Sequence, residues 1–452
     1  MSERHVDLAV IGFGKGGKTL AAALGRKGWR VAMIEQSAQM YGGTCINIGC
    51  VPTKSLVYRS EHLDTGSAHS VQYQYAVAAT AELTAGLRAG NFAMLDSLDT
   101  VEVITGAARF VDARTLVVTT AGGDELTLTA TWIVIGTGSR PTLPNVPGLA
   151  TSPLVRTSTD LLIEKSLPEQ LVVLGGGYVG LEFAAMYAAY GSQVTVLERN
   201  AQVLAAEDDD IAHTARNILA DKGVHIITDA QVTSVADTVT YRHDGADHTV
   251  HPDAVLVALG REPVIDELNL RAAGVRTSPS GAVLVDEHLR TNQPHIFAVG
   301  DVNGGPQFTY ISLDDYRVVL DQLVGAGTRS TADRTAVPYV LFMTPPLARV
   351  GLTERAARAA GHEIKVAAMN VAEMATVPRA RIVGEPVGRM KVVVDAVTDL
   401  VLGAALLSHD SHEVINTVAL AIRHRIPASA LRDSIYTHPS MTEALNQLLG
   451  AL

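Results

Sequence analysis

Only two of the 452 residues are cysteine, and they stand five positions apart as Cys45 and Cys50. A structural disulfide framework draws on more cysteines and belongs to small secreted domains. Metal chelation by two thiolates wants histidine or further cysteine nearby, and none flanks this pair. A lone close pair in so large a chain points instead to redox catalysis. Charge is sparse as well: charged residues make up 18%, below the usual quarter. With a net charge of −11 and no Lys/Arg-rich run, the electrostatic footprint of a nucleic-acid binder is missing. No apolar stretch approaches ~18–20 residues free of glycine and charge, so no membrane span is expected. The chain enters the strand pattern Val6–Ile11 without the basic region of a signal peptide, and a cytoplasmic location is expected.

A chain of this length exceeds one core of ordinary size, so two to four domains are expected. An internal repeat organises the first half. Strand-like Val6–Ile11 runs into Gly12-Phe13-Gly14-Lys15-Gly16-Gly17, a helical stretch, then Arg30–Glu35. Strand-like Leu171–Leu174 runs into Gly175-Gly176-Gly177-Tyr178-Val179-Gly180, a helical stretch, then Gln193–Glu198. In both units an acid, Glu35 or Glu198, stands 18 residues after the third glycine. Each is a strand–turn–helix fingerprint for a dinucleotide. Gly12 and Gly175 permit the tight turn, while Gly14 and Gly177 let backbone N–H groups approach a pyrophosphate. Gly17 and Gly180 allow close helix–strand packing, and the acid accepts a ribose hydroxyl. One such fingerprint is weak evidence; two with the same acid spacing imply two bound dinucleotides.

Further on, strand-like runs at Ala254–Leu259, Ala282–Val285 and Ile296–Val299 close on Gly300-Asp301. From about Val337, strand-like Lys391–Val394 and helical Ser411–Ile422 alternate without another fingerprint, the character of a separate α+β unit. The cysteine pair makes its own geometric demand. Residues five apart on an ideal helix have Cα atoms about 8 Å apart, whereas a disulfide needs them within ~7 Å. Cys45 is therefore expected just before a helix with a distorted first turn, given freedom by Gly42, Gly43 and Gly49. The same helix N-terminus would stabilise a thiolate.

Longer motifs follow one another in order. They are Gly42–Lys54, reading Gly-Gly-Thr-Cys-Ile-Asn-Ile-Gly-Cys-Val-Pro-Thr-Lys; Gly136–Pro141; Ala258–Pro263; Ile296–Asp301; and His438-Pro439-Ser440-Met441-Thr442-Glu443. Together they resemble the signatures of the class I pyridine nucleotide-disulfide oxidoreductases, which include lipoamide dehydrogenase, glutathione reductase and mercuric reductase. The resemblance implies an α/β fold with two Rossmann-like dinucleotide-binding domains, for FAD and NAD(P)H, and a C-terminal α+β dimerisation domain. The expected division is 1–150 for the first part of the FAD domain, 151–265 for the NAD(P)H domain, 266–335 for the central return and 336–452 for dimerisation.

By the same resemblance Cys45 is the exposed interchange thiol and Cys50 the thiol against the flavin. Lys54 shares the helical face of Cys50 and pairs with Glu182 beside the flavin's reactive edge. His438, oriented by Glu443, is the base, reaching across a two-fold axis into the other subunit's site of a homodimer. Gly43, Thr44, Gly138, Asp301 and Glu35 hold FAD, with Asp301 on the ribityl chain and Glu35 on the adenosine ribose. Tyr178 covers the flavin until nicotinamide displaces it, and Gly260 lies on the nucleotide side. Glu198 favours NADH by repelling a 2′-phosphate, although Arg199 beside it leaves NADPH possible. His409-Asp410-Ser411-His412 is expected to be a solvated helix start capped by Ser411 or Asp410, with no metal site.

A narrower match comes from Phe13–Thr19, Tyr41, Phe308–Arg317 and Phe342–Pro346. These are similar to a bacterial subgroup induced by reactive chlorine stress and associated with reduction of Cu(II) and hypothiocyanous acid. The expected activity passes electrons from NADH through FAD to the cysteine pair and on to a small oxidant, in a channel narrowed by Tyr41, Phe342 and Met343. Dihydrolipoamide dehydrogenase and mercuric reductase are the alternatives, the latter weakened because no cysteine follows Cys50. A non-catalytic flavin redox sensor is the alternative of another class, disfavoured by the complete set Cys45, Cys50, Lys54, Glu182, His438 and Glu443.

Overall fold

The computed structural model describes residues 3–64 and 66–452. Leu8–Ile11 is continuously apolar because its strand, Glu3–Ile11, lies in the middle of a sheet covered on both faces. It pairs in parallel with Val31–Glu35 on one side and Glu125–Ile135 on the other. Leu8 and Val10 pack under the helix Lys15–Gly25, while Ala9 and Ile11 face the opposite core. Val101–Phe110 extends the sheet beyond Val31–Glu35, and Thr115–Thr120 turns back antiparallel to join Glu125–Ile135. Ile296–Ala298, from much later in the chain, adds a parallel strand beside Glu125–Ile135. Between these two strands the chain makes an excursion out of the first unit and is back in its core by Leu268.

That excursion contains a second sheet of five parallel strands. Val224–Ile227, Gln193–Leu197, Gln170–Leu174, Ala254–Val257 and Val155–Arg156 lie side by side in that order. A three-stranded antiparallel meander, Gln231–Val250, is attached to it. The third unit is a five-stranded antiparallel sheet running from Tyr339–Leu341 to Ile364–Asn370, backed by the helix Ser411–Arg423. One expected strand is not there. Ala282–Val285 forms only an isolated bridge between Thr277 and Val283. Val283 donates to the carbonyl of Val302 and Leu284 to that of Arg276, so loops satisfy this backbone and no strand pairs with it.

The second and third units meet over a buried cation. Lys391 is 4% exposed and places Nζ 3.2 Å from Asp208, 3.1 Å from Asp210 and 2.8 Å from Glu354. Burial pushes the Asp208 carboxyl up, but backbone N–H donors from Glu354 and Arg355, with the Lys391 charge, outweigh it and hold it low. Hydrogen bonds from Lys391 and Arg358 hold Glu354 low as well. Carboxyls with depressed folded values stabilise the fold above their unfolded pKa and lose that contribution as pH falls through the folded value. The contribution of Asp208 and Glu354 is therefore complete at neutral pH and is lost in acid, below about pH 4. Lys391→Met should lower stability at pH 7 by about 3 kcal/mol, because it removes the cation shared by Asp208, Asp210 and Glu354 and leaves buried Asp208 with backbone donors alone. In denaturant unfolding the deficit should shrink toward pH 3; equal stability of variant and parent at pH 7 would show the cluster to be idle.

Candidate active site

Both fingerprint turns are built alike. Gly12 has φ +99°, and a Cβ there would lie 2.3 Å from the Gly136 carbonyl oxygen; Gly175 has φ +106°, with the Ala258 oxygen at 2.6 Å. Any side chain at these positions breaks the turn. Each acid reaches back to its own turn. Glu35 accepts from the N–H of Phe13 at 3.0 Å and of Ser37 at 3.2 Å, while Glu198 accepts from Gly176 at 2.7 Å and from Asn200 at 2.8 Å. Burial pushes the Glu35 carboxyl up, against those backbone donors. Gly17 and Gly180 are packing glycines: added Cβ atoms would meet Val10 at 2.8 Å and the Gly175 oxygen at 2.0 Å.

The active-site loop rests directly on the first turn. Gly43, at φ +77°, brings its Cα side so close that a Cβ would stand 2.6 Å from Gly14 Cα. From there the chain departs from the expected form. Cys45 does not precede the helix; it sits inside a separate single turn, Thr44–Asn47. Ile48 and Gly49 interrupt the helical path, and Cys50 is the first residue of the next helix, Cys50–Ser60. The interruption provides the closeness that one continuous helix denies. It also gives the helix N-terminus to Cys50, where a thiolate is favoured. The Cys45 thiol donates to the Cys50 sulfur, Thr309 Oγ1 lies 3.5 Å from that sulfur, and the Lys54 ammonium adds its charge. Against burial, these bring Cys50 down to about 6. Cys45 is pushed up, first by that same hydrogen bond and then by burial, so the pair holds one proton on Cys45. Both thiols line a cavity, and within a single chain the open side of Cys50 faces it.

That cavity, about 1090 Å³, collects Gly12, Gly14, Glu35, Gly43, Thr44, Cys45, Cys50, Lys54, Gly138, Tyr178, Glu182 and Asp301. Lys54 is ion-paired with Glu182, whose other oxygen accepts from the Phe342 N–H at 3.1 Å. The Phe342 ring lies 4.8 Å from Lys54 Nζ and lines the cavity. Tyr41 and Met343 do not line it: Tyr41 bonds Thr105 and packs between Phe13 and Phe92, and Met343 is buried in the core. Asp301 accepts from Ser139 at 2.6 Å, and Ser139 accepts from Arg261 at 2.8 Å. Thr309, Ser139, Arg261 and the Phe342 ring are contributions that the motifs did not assign. All four fell in quoted stretches, but nothing local tied any of them to its partner.

Gly175, Gly177, Gly180 and Glu198 gather instead at the second turn, and Gly260 follows by two residues the Ala258 carbonyl that abuts Gly175. His438 and Glu443 are joined, Nδ1 to Oε2, at 2.8 Å, and Glu443 also accepts from the Ser440 N–H at 3.1 Å. They do not line the cavity of their own chain, and the His438 side chain is 66% exposed. His409 bonds Glu385 at 2.8 Å and Asp410 at 3.3 Å. Asp410 stands at the helix N-cap position but, contrary to expectation, makes no cap hydrogen bond, and Ser411 donates to the Pro346 carbonyl. No group of three metal-ligating side chains occurs among the described residues.

A family model for pyridine nucleotide-disulphide oxidoreductases matches residues 6–315, and the model of that family's dimerisation domain matches residues 337–449. The chain belongs to the pyridine nucleotide-disulphide oxidoreductase family. It is 47% identical over 443 residues to the probable pyridine nucleotide-disulfide oxidoreductase RclA of Escherichia coli K12, spanning 98% of both chains. It is 33% identical to a mercuric reductase of Lysinibacillus sphaericus, covering 98% of this chain and 82% of that protein. Identity is also 33% to a dihydrolipoyl dehydrogenase of Mycobacterium tuberculosis, covering 99% and 98%. The Cu(II) complex of the HOCl-induced flavoprotein disulfide reductase RclA from E. coli superposes with a TM-score of 0.93 at 46% identity, covering 100% of this chain and 99% of that one. Family membership makes the chain a flavoprotein oxidoreductase working with FAD and a nicotinamide nucleotide. The cavity fits FAD. A Cβ on Gly14 would meet only the Gly136 oxygen at 3.7 Å, and one on Gly138 would meet nothing within 4 Å. These glycines keep space clear in the cavity that protein packing does not fill.

The thiol electrostatics give a direct prediction. In the two-electron-reduced protein the long-wavelength thiolate–flavin absorbance should grow in as pH rises through about 6. Lys54→Met should move that midpoint upward, since a stabilising cation is lost. An unchanged midpoint in the variant would remove Lys54 from the account of the thiolate.

Proposed function

We propose that this chain forms a homodimer that reduces a small inorganic oxidant, such as hypothiocyanous acid or Cu(II), at the Cys45–Cys50 pair, using NADH. The observation that carries the reading is Cys50 at a helix N-terminus, its thiolate facing the cavity between Thr309 and Lys54. When bound, FAD supplies the two-electron relay between nicotinamide and the cysteine pair. Gly12, Gly14, Glu35, Gly43, Thr44, Gly138 and Asp301 would hold it. Lys54, fixed by Glu182, sets a cation at the cavity wall. Cys50 waits as the thiolate, and Cys45 meets the oxidant.

With hypothiocyanous acid, the Cys45 sulfur attacks the oxidant's sulfur and hydroxide leaves as water after taking a proton. The Cys50 thiolate then attacks the Cys45 sulfur, closing the disulfide and releasing thiocyanate. Two thiols and one hypothiocyanous acid thus give one disulfide, thiocyanate, a proton and water. His438 of the partner subunit, its Nδ1 committed to Glu443, supplies Nε2 for the proton. Its exposure in a single chain supports that placement, as does Ile435, fully exposed at 100% three residues earlier. No cysteine follows Cys50, which disfavours Hg(II) as the physiological acceptor. The likeness to RclA, described as HOCl-induced and solved with Cu(II), favours the small-oxidant reading over lipoamide. Glu198 supports NADH: a carboxylate at the end of the second strand of such a unit repels a 2′-phosphate.

Steady-state turnover with NADH and with NADPH, against hypothiocyanous acid, Cu(II), Hg(II), lipoamide and oxidised glutathione, tests these assignments together. NADH with hypothiocyanous acid should give the highest kcat/KM, and Cys45→Ser should abolish it while NADH still bleaches the flavin. Lipoamide turnover of ~10⁴ M⁻¹s⁻¹ or more with negligible hypothiocyanous acid reduction would overturn the acceptor. Equal efficiency with both coenzymes would overturn the NADH preference.

A further inference from the structure

Behind the cavity wall lies a carboxylate that none of this chemistry uses. Glu207 is fully buried, on the loop between the strand Gln193–Leu197 and the helix Asp209–Asp221. Its Oε1 accepts from the Tyr178 hydroxyl at 2.7 Å and the Tyr339 hydroxyl at 3.0 Å. Its Oε2 faces Arg349 Nη1 at 3.4 Å and makes no hydrogen bond. Arg349, 2% exposed and with Nε unbonded, neutralises the charge without competing for Oε1. A carboxylate buried alone is costly; this one has the Arg349 guanidinium on one oxygen and both phenol donors on the other. Burial, then the neighbouring Glu207, pushes both phenols up, so both remain donors.

The two phenols come from different units. Tyr178 opens the helix at the second fingerprint turn, and Tyr339 begins the third sheet. Their rings meet edge to face at 5.4 Å, and both line the cavity, whereas Glu207 grips them from outside it. The Glu207 loop is pinned at both ends. Leu204 donates to the Gly176 carbonyl at 3.0 Å, and Arg355 donates to the carbonyls of Ala205 and Glu207 at 3.1 and 3.3 Å. The carboxylate is therefore a fixed post; Tyr339 is also held by stacking on Phe308 at 6.0 Å, which leaves Tyr178 as the partner that can swing away.

We infer that Glu207 is a positioning residue for coenzyme entry, latching Tyr178 closed over the cavity while Tyr339 keeps the carboxylate satisfied after Tyr178 swings away. The inference rests on the reading of Tyr178 as the cover that nicotinamide displaces. Opening then costs one hydrogen bond and strands no buried acceptor, because Oε1 retains Tyr339. A coenzyme that binds only the open form has its affinity reduced by the open fraction. Removing the Tyr178 hydroxyl should raise that fraction. Removing the Tyr339 hydroxyl should lower it, since opening would leave Oε1 unpaired. Opposite signs are something a packing role does not produce.

The test is the Kd of the oxidised holoenzyme for NAD⁺ and NADP⁺ by calorimetry, following the tighter ligand. Tyr178→Phe should bind about three- to tenfold tighter and Tyr339→Phe about three- to tenfold weaker, the range expected for one hydrogen bond. Adding Glu207→Gln to Tyr178→Phe should leave Kd within about twofold, since the coupling partner is already gone. Shifts of the same sign in the two Phe variants, or a further shift on adding Glu207→Gln, would overturn the latch. Tyr178→Ala separates the two readings. If it tightens binding while Tyr178→Phe does not, the cover stands and the latch falls; if neither variant changes Kd, the cover reading itself fails.

Discussion

One carboxylate holds the three units together at the reactive centre. Glu182 belongs to the helix Tyr178–Ala189 of the second unit; it pairs with Lys54 from the first and accepts the Phe342 N–H from the third. Both oxygens are committed, and the residue is 7% exposed. A buried ion pair of this kind is weak evidence for stability, because desolvation offsets much of the attraction. Its value here is placement. Lys54 is one helical turn from Cys50, so fixing Lys54 fixes the helix that presents the thiolate. The Phe342 ring, over the Lys54 ammonium, closes the same corner from the third unit.

The second consequence is electrostatic division between two identical side chains. Cys45 and Cys50 differ because the helical path breaks at Ile48-Gly49. The break assigns the helix N-terminus, Thr309 and the Lys54 charge to Cys50. Cys45, in its own short turn, retains the proton. One thiolate and one thiol, side by side, are what a pair needs in order to exchange two electrons by closing and opening a disulfide.

Much of this was legible in the residues. Gly12 and Gly175, Glu35 and Glu198, and the equal spacing between them specify two strand–turn–helix units before any coordinate, because each glycine answers a local steric demand. Cys45, Cys50 and Lys54 were legible as a group because they are close in sequence. What was not legible is contact across units. Thr309 meets Cys50, Arg261 meets Ser139, and Glu207 meets Tyr178 and Tyr339, with no periodicity or spacing to announce them. The helix break was half legible. Distance geometry required a distortion, but a continuous pattern of small and polar residues did not show that Cys45 would sit in a turn of its own. Ala282–Val285 misled because an apolar run reports burial, while a strand also needs a neighbour to pair with.

The central claim is that electrons from the coenzyme come to rest on Cys45 and Cys50. Anaerobic addition of one equivalent of NADH to the oxidised holoenzyme, followed by alkylation and peptide mapping, tests it most directly. The account predicts that both cysteines resist labelling before NADH and become labelled after it. Flavin bleaching with Cys45 and Cys50 still unlabelled would contradict it.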